Sequence, residues 1–393
     1  MKKIKIGLLV KVIIAIILGI ATSYILPMPV VKVFVTFNSI FGNFLGFVIP
    51  LIILGLVAPG IADLGKSAGK LLLITALIAY GSTVLAGTFS FFTTRWSLPI
   101  LIERSGDFLS IEQLSKDAIS HYFTIDMPPV MSVTSALIFA FVIGLGVSNT
   151  QSNSIKKLLS EFRDLVTAII VKAIIPLLPL YIFGIFLKIA SEGQAIMIMS
   201  LFFKVIIVIF IMHVLLLLVQ FGIAGLIAKK NPIKSLLNML PAYMTALGTQ
   251  SSAATIPVTL EQAKKNGVDP ELADFVIPLC ATIHLSGSML KIVSCAFAIM
   301  WMMEMPYTIE MFIGFIFMLA ITMVAAPGVP GGAIMAAIGV LQSMLLFNEQ
   351  AVGLMIALYI AMDSFGTACN VTGDGAIAMI VNKINIKLNV RTC

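Results

Sequence analysis

The chain has 393 residues, of which 60% are hydrophobic and only 11% are charged, and its mean hydropathy is +1.09. A soluble domain carries about 25% charged residues, so this composition excludes a wholly aqueous surface and indicates that lipid contacts much of the exterior. Four cysteines without CxxC spacing indicate neither a zinc site nor a disulfide framework.

Eight apolar segments are long enough to cross a bilayer as helices, which takes about 20 residues each. The predicted spans are 7–26, 34–61, 70–94, 129–148, 165–190, 195–228, 271–302 and 350–382. The stretch 95–128 carries several charged residues and is predicted to form an extracellular loop. These segments predict an all-α polytopic membrane protein with eight transmembrane helices.

Lysines and arginines are distributed unevenly over the connecting segments. With the N-terminus inside, the inner loops hold most of them, whereas the outer loops hold only Arg95, Arg104 and Lys116. Because cytoplasmic loops carry such an excess, we predict a multi-pass protein of the plasma (cytoplasmic) membrane with both termini in the cytoplasm. The net charge of +7 then reflects topology and contact with anionic lipid, and no nucleic-acid partner is expected.

Two further apolar segments are interrupted near their middles. The first, 235–260, contains Gly248-Thr-Gln-Ser-Ser-Ala-Ala-Thr-Ile-Pro257, where small and hydroxylated residues replace the apolar run. The second, 308–346, contains Pro327-Gly-Val-Pro-Gly-Gly332, where proline ends a helix and glycine permits close backbone approach. Non-helical backbone at membrane depth is tolerated only where protein or water satisfies it. We therefore predict two re-entrant helical hairpins that dip into the membrane from opposite faces.

Paired interrupted segments are the best sequence indication of a midplane binding site built on inverted repeats, as in secondary transporters. The alternative is a pair of ordinary membrane helices containing proline and glycine, which a single interrupted segment would favour. Two such segments, alternating with the spans 271–302 and 350–382, favour a transporter.

Ionisable residues inside a span cost about 2.5–3.5 kcal/mol each at the bilayer centre and usually have a function. In 350–382, Asp363, Thr367, Asn370 and Asp374 are spaced i, i+4, i+7 and i+11, which places them on one helix face. Carboxylate, hydroxyl and amide groups suit an ammonium group and a hard cation such as sodium. The alternative is a polar seam between helices, which two carboxylates make a weaker interpretation.

In 271–302, His284, Ser288 and Lys291 share a face by the same spacing. Lys291 lies too deep in the segment to extend easily to the membrane surface. It is predicted to pair with an aspartate of 350–382 or with a substrate carboxylate. His213, in 195–228, is predicted to be a hydrogen-bonding residue between helices.

Three motifs follow one another along the chain: Ser251-Ser-Ala-Ala-Thr-Ile-Pro257, Gly328-Val-Pro-Gly331, and Asp363 through Asn370-Val-Thr-Gly-Asp374. They resemble the hairpin tips and last helix of the dicarboxylate/amino-acid:cation symporters, the family of the excitatory amino acid transporters, and the resemblance covers essentially the whole chain. It implies a homotrimeric elevator-type transporter, with a single unit over 1–393. The implied scaffold is approximately 1–68 and 129–190. The implied mobile transport domain is approximately 69–94 and 195–393, with hairpin one at 235–260 and hairpin two, the gate, at 308–346.

The resemblance also implies roles for individual residues. Asp363 would bind the substrate amino group, and Asn370 with the Ser252 region would bind its α-carboxylate. The implied substrate contacts are Ser251, Ser252, Ser288, Val329, Pro330, Gly331, Asp363, Gly366, Thr367 and Asn370. The implied sodium contacts, mostly backbone carbonyls, are Cys280, Thr282, His284, Leu285, Met323, Val324, Ala326, Asn370 and Asp374. Sodium is the implied coupling ion, and no other cofactor is expected.

The sequence departs from the family at two motifs. Members that transport acidic amino acids have an arginine where this chain has Gly366, and their Asn-Met-Asp-Gly-Thr is here His284-Leu-Ser-Gly-Ser288. Losing the arginine removes the bidentate partner of a second carboxylate. Losing the aspartate implies fewer coupled cations, or partial replacement of one cation by His284 or Lys291, and protons in place of sodium stay open. A small neutral amino acid such as serine, threonine or alanine is the predicted substrate. In the alternative, Lys291 replaces the arginine and the substrate is an acidic amino acid or a dicarboxylate.

Two other classes are weaker interpretations of the sequence. A channel would need repeated rings or a filter, which the sequence does not contain. An intramembrane hydrolase could use Ser288 and Lys291, which match S-x-x-K, but the motif is short and no oxyanion framework accompanies it. The protein is therefore predicted not to be an enzyme, and its partners are a small-molecule substrate and membrane lipid.

Overall fold

The structure is a computed structural model that describes residues 7–63, 70–101, 119–149, 153–324, 326 and 330–390. Within these ranges every regular element is a helix, as expected where backbone polar groups must be satisfied inside lipid. In chain order the helices are α1 (Leu8–Ser23), α2 (Met28–Asp63), α3 (Lys70–Leu101), α4 (Val133–Asn149), α5 (Asn153–Ile169), α6 (Ile175–Ser191), α7 (Ala195–Ala228), α8 (Pro232–Asn238), α9 (Leu240–Thr249), α10 (Ser252–Lys265), α11 (Pro270–Ile283), α12 (Ser286–Met302), α13 (Ile309–Val324), α14 (Gly332–Met344), α15 (Glu349–Ala361) and α16 (Asp363–Val390). A π-helical turn, Ile170–Ile174, joins α5 to α6.

Five helical segments in the described ranges are long and apolar enough to cross a membrane, and α15 with α16 makes a sixth, bent by 62°. The five are Met28–Ala62, Leu71–Ile100, Ser154–Ser191, Ile198–Ala228 and Pro270–Met302. A polytopic all-α membrane protein is thus confirmed. The other two predicted spans, 7–26 and 129–148, contain helices of 16 and 17 residues. Prolines bound both helices, because Pro27 follows α1 and Pro129 precedes α4.

The span predicted at 70–94 continues to Leu101, so the first residues of the predicted loop 95–128 are helical. Trp96, Leu98 and Ile100 extend the apolar run there. Residues 102–118 of the predicted loop lie outside the described residues. Beyond them the chain returns to α2, where the Tyr122 N–H donates to Thr36 Oγ1 at 2.9 Å.

Each interrupted segment consists of two short helices that pack against each other. Between α9 and α10, Gln250 is left-handed with a φ of 53°, and Ser251 caps α10 by accepting from the Ala254 N–H at 3.3 Å. Before α14, Gly331 has a φ of 74°, a conformation that is costly for residues with a Cβ. The helices therefore end where small residues, proline and glycine predict the interruptions.

Two predicted spans are not continuous helices. The segment 271–302 is divided at His284 and Leu285, between α11 and α12, and 350–382 is divided at Met362, between α15 and α16. Neither break falls on a proline or glycine, so hydropathy and composition predict unbroken spans. At each break, a side chain from another helix binds a backbone group. Asn370 Oδ1 accepts from the Gly287 N–H, and Lys291 Nζ donates to the Met362 carbonyl.

The described helices pack in two groups. The first group is α1, α2, α4, α5 and α6, which pack mainly on one another. The second group is α3 and α7 to α16, in which α12 and α16 pack against most of the other members. The groups meet where α14 contacts α2 and where α15 contacts α6. The polar face of α16 lies within the second group, surrounded by buried apolar residues.

Candidate functional site

The polar face predicted on α16 is buried. Asp363, Thr367, Asn370 and Asp374 are all almost inaccessible, and they lie towards the α11–α12 region, where α12 is buried along nearly its whole length. The spacing that predicts a single polar face therefore brings these groups together inside the protein. The neighbouring helices determine what each of them contacts.

Lys291 of α12 is fully buried, with 0% of its side chain exposed. Its Nζ donates to Asp363 Oδ1 at 3.2 Å and to the Met362 carbonyl at 3.4 Å, and lies 3.4 Å from the centre of the Tyr359 ring. The second carboxylate oxygen, Oδ2, accepts from the Gly331 N–H at 2.9 Å. Of the two partners predicted for Lys291, the structure has the aspartate, and the chain itself satisfies both oxygens of Asp363.

Gly366 makes room for this lysine. A Cβ at position 366 would lie 2.8 Å from Lys291 Nζ, closer than real Cβ atoms come, and 3.1 Å from its Cε, which is a tight contact. The ammonium therefore occupies the space through which a side chain at position 366 would have to pass. The glycine in α16 and the lysine in α12 form one structural feature.

Asn370 joins α16 to the first turn of α12. Its Oδ1 accepts from the N–H groups of Gly287 at 2.7 Å and Ser288 at 3.2 Å, and its Nδ2 donates to Ser288 Oγ at 3.1 Å. Tyr359 also donates to Ser288 Oγ, at 3.2 Å. The first N–H groups of a helix have no partner within it, so Asn370 caps α12 from a neighbouring helix.

His284 lies between α16 and α3. Its Nδ1 is 2.9 Å from Asp374 Oδ1, and its Nε2 is 3.0 Å from Ser82 Oγ. Gln220 of α7 donates through Nε2 to Ser82 Oγ at 3.1 Å and to Ser286 Oγ at 3.0 Å. This network connects α3, α7, α12 and α16. The sequence does not predict the roles of Ser82 and Gln220, because their partners lie far away along the chain.

A second glycine of α16 makes room for the histidine. A Cβ at Gly373 would lie 2.9 Å from His284 Cε1 and 2.8 Å from Gln220 Oε1. His213, predicted to bond between helices, does so: its Nε2 is 3.1 Å from the Gly287 carbonyl oxygen.

A small cavity of about 30 Å³ lies among these groups, with room for about two water molecules. It is lined by Gln250, Ser252, Ala281, Leu285, Ser288, Ala326, Ala333, Tyr359, Asp363, Thr367 and Asn370. One carboxylate, several hydroxyls and two amides converge there from the first interrupted segment, α12, α15 and α16. The second interrupted segment contributes two alanines to the lining. Cavities beside α2–α3 and along α7 have almost purely apolar linings.

Five of the predicted substrate residues line this cavity: Ser252, Ser288, Asp363, Thr367 and Asn370. Four others do not line it: Ser251 caps α10, Pro330 and Gly331 precede α14, and Gly366 faces Lys291. Val329 lies outside the described residues. The cavity is also lined by residues that the sequence does not predict, among them Gln250, Ala333 and Tyr359. Two of these could have been found by their neighbours, since Gln250 adjoins Ser251 and Tyr359 lies one turn before Asp363.

The residues predicted to contact sodium lie around the α11–α12 break, at the end of α13 and on α16. The Cys280 carbonyl accepts from the His284 N–H at 2.8 Å, and the Met323 carbonyl accepts from the Ala326 N–H at 3.2 Å. Thr282 Oγ1 donates to the Leu279 carbonyl at 2.7 Å. Among the described residues no three His, Cys, Asp or Glu side chains form a metal-binding group. Backbone carbonyls and hydroxyls are ligands that suit a hard cation better than a transition metal.

The chain matches the model of the sodium:dicarboxylate symporter family over residues 8–384. The serine/threonine transporter SstT of Acinetobacter baumannii strain AYE is 27% identical over 384 residues, which cover 94% of this chain and 95% of that protein. The serine/threonine transporter SstT of Acinetobacter baylyi is 25% identical over 397 residues, 97% and 98% of the two chains. Excitatory amino acid transporter 3 of Oryctolagus cuniculus is 34% identical over 163 residues, 41% of this chain and 31% of that protein.

The helical multi-pass fold, with a buried polar site between interrupted helices, is that of a membrane transporter and not of an enzyme. The chain belongs to the sodium:dicarboxylate symporter family. The family resemblance indicated by the three motifs is therefore confirmed.

Proposed function

We propose that the protein couples sodium movement into the cell to the uptake of a small neutral amino acid such as serine, threonine or alanine. The observation that carries this proposal is the cavity in which the Asp363 carboxylate lies beside Ser252, Ser288, Thr367 and Asn370. A carboxylate pairs with an amino group, while hydroxyl and amide groups bind a carboxylate and a small polar side chain. The names of the full-length relatives support the same substrate class.

An acidic amino acid is the second candidate. Its ammonium would replace Lys291 on Asp363, and its side-chain carboxylate would then pair with the Lys291 ammonium in the space that Gly366 leaves. A dicarboxylate without an amino group fits less well. Drawing Lys291 away would leave Asp363 buried and unpaired, which costs about 3–5 kcal/mol.

Two sodium sites are proposed near the cavity. Asp374 and Asn370, with carbonyls near Cys280 and His284, would form the first; carbonyls of Thr282, Leu285, Met323, Val324 and Ala326 would form the second. The side-chain site that depends on an aspartate in other family members is proposed to be lost, because Ser286 stands there and bonds to Gln220. The number of coupled sodium ions is then lower, or a proton replaces one of them.

The proposed architecture is an elevator-type homotrimer in the plasma membrane with both termini in the cytoplasm. The group α1, α2, α4, α5 and α6 would be the scaffold, and the second group the transport domain. With α1 and α4 as spans, eight helices cross the membrane, and hairpins one and two reach the site from opposite faces. Contacts of both tips with α16 support this arrangement: Gln250 Nε2 donates to Ser364 Oγ at 2.9 Å, and the Gly331 N–H donates to Asp363.

Uptake into proteoliposomes tests the proposed function. Labelled serine, threonine, alanine, aspartate and succinate are supplied with an inward sodium gradient, an inward proton gradient or neither. We expect sodium-dependent accumulation of the three neutral amino acids. Flux that responds to neither gradient would reject the symporter, and accumulation of aspartate in place of the neutral amino acids would select the second candidate.

A further inference from the structure

The Asp363 carboxylate is satisfied entirely by groups of the chain itself. Lys291 Nζ occupies Oδ1, and the Gly331 N–H at the tip of hairpin two occupies Oδ2. A substrate amino group that binds Asp363 must therefore displace an ammonium that already lies there. Lys291 comes from α12 and Gly331 from the start of α14, so the same carboxylate joins three separate parts of the chain.

The lysine has two other partners beside Asp363. The Met362 carbonyl lies 3.4 Å from Nζ, at the break between α15 and α16, and the Tyr359 ring centre lies 3.4 Å away. A carbonyl oxygen and an aromatic face both stabilise an ammonium group. Lys291 can therefore yield Asp363 to another ammonium while its own charge keeps two stabilising contacts.

We propose that Lys291 is a tethered substitute for the substrate amino group, which neutralises Asp363 between transport cycles and allows the start of α14, at Gly331 of hairpin two, to close onto α16 without cargo. This inference rests on the proposed function, because it takes Asp363 to be the residue that binds the substrate amino group. Lys291 is a positioning residue in this scheme: it acts on hairpin two through Asp363.

The physical reason is the cost of burying a lone charge. Without a cation on Asp363, closing hairpin two would bury an unpaired carboxylate, which is strongly unfavourable. With Lys291 on Oδ1, the Gly331 N–H binds a carboxylate whose charge is already compensated. The unloaded carrier can then close and return, whereas the arriving substrate must compete with the lysine and binds more weakly than it would to a free carboxylate.

Gly366 provides an independent structural requirement. Its missing side chain is what lets Nζ reach Asp363, since an added Cβ would lie 2.8 Å from that atom. A methyl group at 366 would displace the ammonium from Asp363 without changing any charge. The pair Gly366 and Lys291 thus gives two different ways of disturbing the same contact.

Net uptake and exchange separate this role from a merely structural one, because only net uptake requires the unloaded carrier to return. For Lys291→Met we expect net uptake into substrate-free proteoliposomes to fall about tenfold or more, and the half-saturating substrate concentration to fall severalfold. Exchange with substrate preloaded inside should stay within about threefold of wild type. Lys204→Met, which removes a lysine of α7, is the matched control and should change neither rate.

Gly366→Ala keeps every charge and should show the same preferential loss of net uptake. If Lys291→Met does not fold, this variant alone tests the role of the contact between Lys291 and Asp363. An Ala281→Cys reporter in the cavity lining, at a position with no proposed role in binding, measures closure directly. Without substrate it should react with a thiol reagent about tenfold faster when combined with Lys291→Met or Gly366→Ala, and substrate should restore protection.

Equal loss of net uptake and exchange in both variants, or no change in reporter reactivity, would overturn the proposal. These outcomes are distinct from failure of the proposed function, which would appear as absent gradient-driven uptake by the wild-type protein itself.

Discussion

Gly366 and Gly373 of α16 leave spaces that Lys291 and His284 occupy. In each case the glycine and the larger residue belong to different helical segments, and an added Cβ would come within 3.0 Å of the larger side chain. The two departures from the family pattern, glycine for arginine and histidine for asparagine, are thus each half of a packed pair. In this chain the helices approach too closely for a larger residue to replace either glycine without a shift of its partner.

Gly373→Ala is expected to push His284 away from Asp374. Overpacking of this kind costs about 1–3 kcal/mol, which over most of that range exceeds the gain of about 1 kcal/mol from the helix propensity of alanine. Thermal unfolding of the solubilised protein should show a lower midpoint than wild type, and added sodium should raise that midpoint by a smaller amount. Gly81→Ala in α3 is the matched control, because nothing lies within 4 Å of the added Cβ; a Gly373→Ala protein as stable as this control would contradict the packing.

At the scale of elements, Asn370 determines where α12 begins. Its Oδ1 is the acceptor for the N–H groups of Gly287 and Ser288, so Asn370→Ala leaves two buried donors unsatisfied at about 1–3 kcal/mol each. We expect the first turn of α12 to open, which hydrogen-exchange mass spectrometry would detect as faster exchange in peptides covering 285–290.

Two variants control this measurement. Asn370→Asp keeps an acceptor oxygen and should preserve protection of the first turn. Thr372→Val removes a hydroxyl that donates only to the Ala368 carbonyl of its own helix at 2.8 Å, so protection of α12 should not change. Unaltered exchange at 285–290 in Asn370→Ala would mean that α12 is held by other contacts.

Local sequence predicts some of the helix breaks and not others. Gln250-Ser251 and the proline–glycine run before α14 interrupt their helices through residues whose own conformations disfavour helix, and the sequence predicts both. The breaks at His284–Leu285 and Met362 contain no such residue. Backbone groups at these breaks are bound by Asn370 and Lys291, which belong to other helices. These side chains lie 83 and 71 positions away in the sequence, so no local pattern indicates the breaks.

The sequence likewise predicts only part of the candidate site. Spacing alone places Asp363, Thr367, Asn370 and Asp374 on one face, because the period of a helix is fixed. It leaves open whether Lys291 binds an aspartate or a substrate, since that depends on the distance between α12 and α16. The shared cavity lining of Gln250, Tyr359 and Ala333 likewise depends on how the two interrupted segments pack onto α16.

At the scale of the whole molecule, the two groups of helices meet where α14 lies on α2. An added Cβ at Gly339 would overlap Ile49 and lie 3.0 Å from Ile53 Cδ1, so the small residue allows the two helices to approach closely. An elevator movement of the second group would separate these residues, whereas contacts within the first group would persist. Packing between Gly55 of α2 and Val166 of α5 offers the comparison, since an added Cβ at 55 would lie 3.2 Å from Val166 Cβ.

A disulfide between Ile49→Cys and Gly339→Cys should therefore stop both net uptake and exchange, and a reducing agent should restore them. The disulfide between Gly55→Cys and Val166→Cys joins two helices of the proposed scaffold and should leave transport unchanged. Both pairs approach closely enough for a disulfide after small backbone adjustments, and mass spectrometry measures the fraction formed. Transport that continues with the 49–339 disulfide fully formed would show that α14 stays on α2 throughout the cycle, in which case hairpin two cannot move as part of an elevator and only its tip can act as a gate.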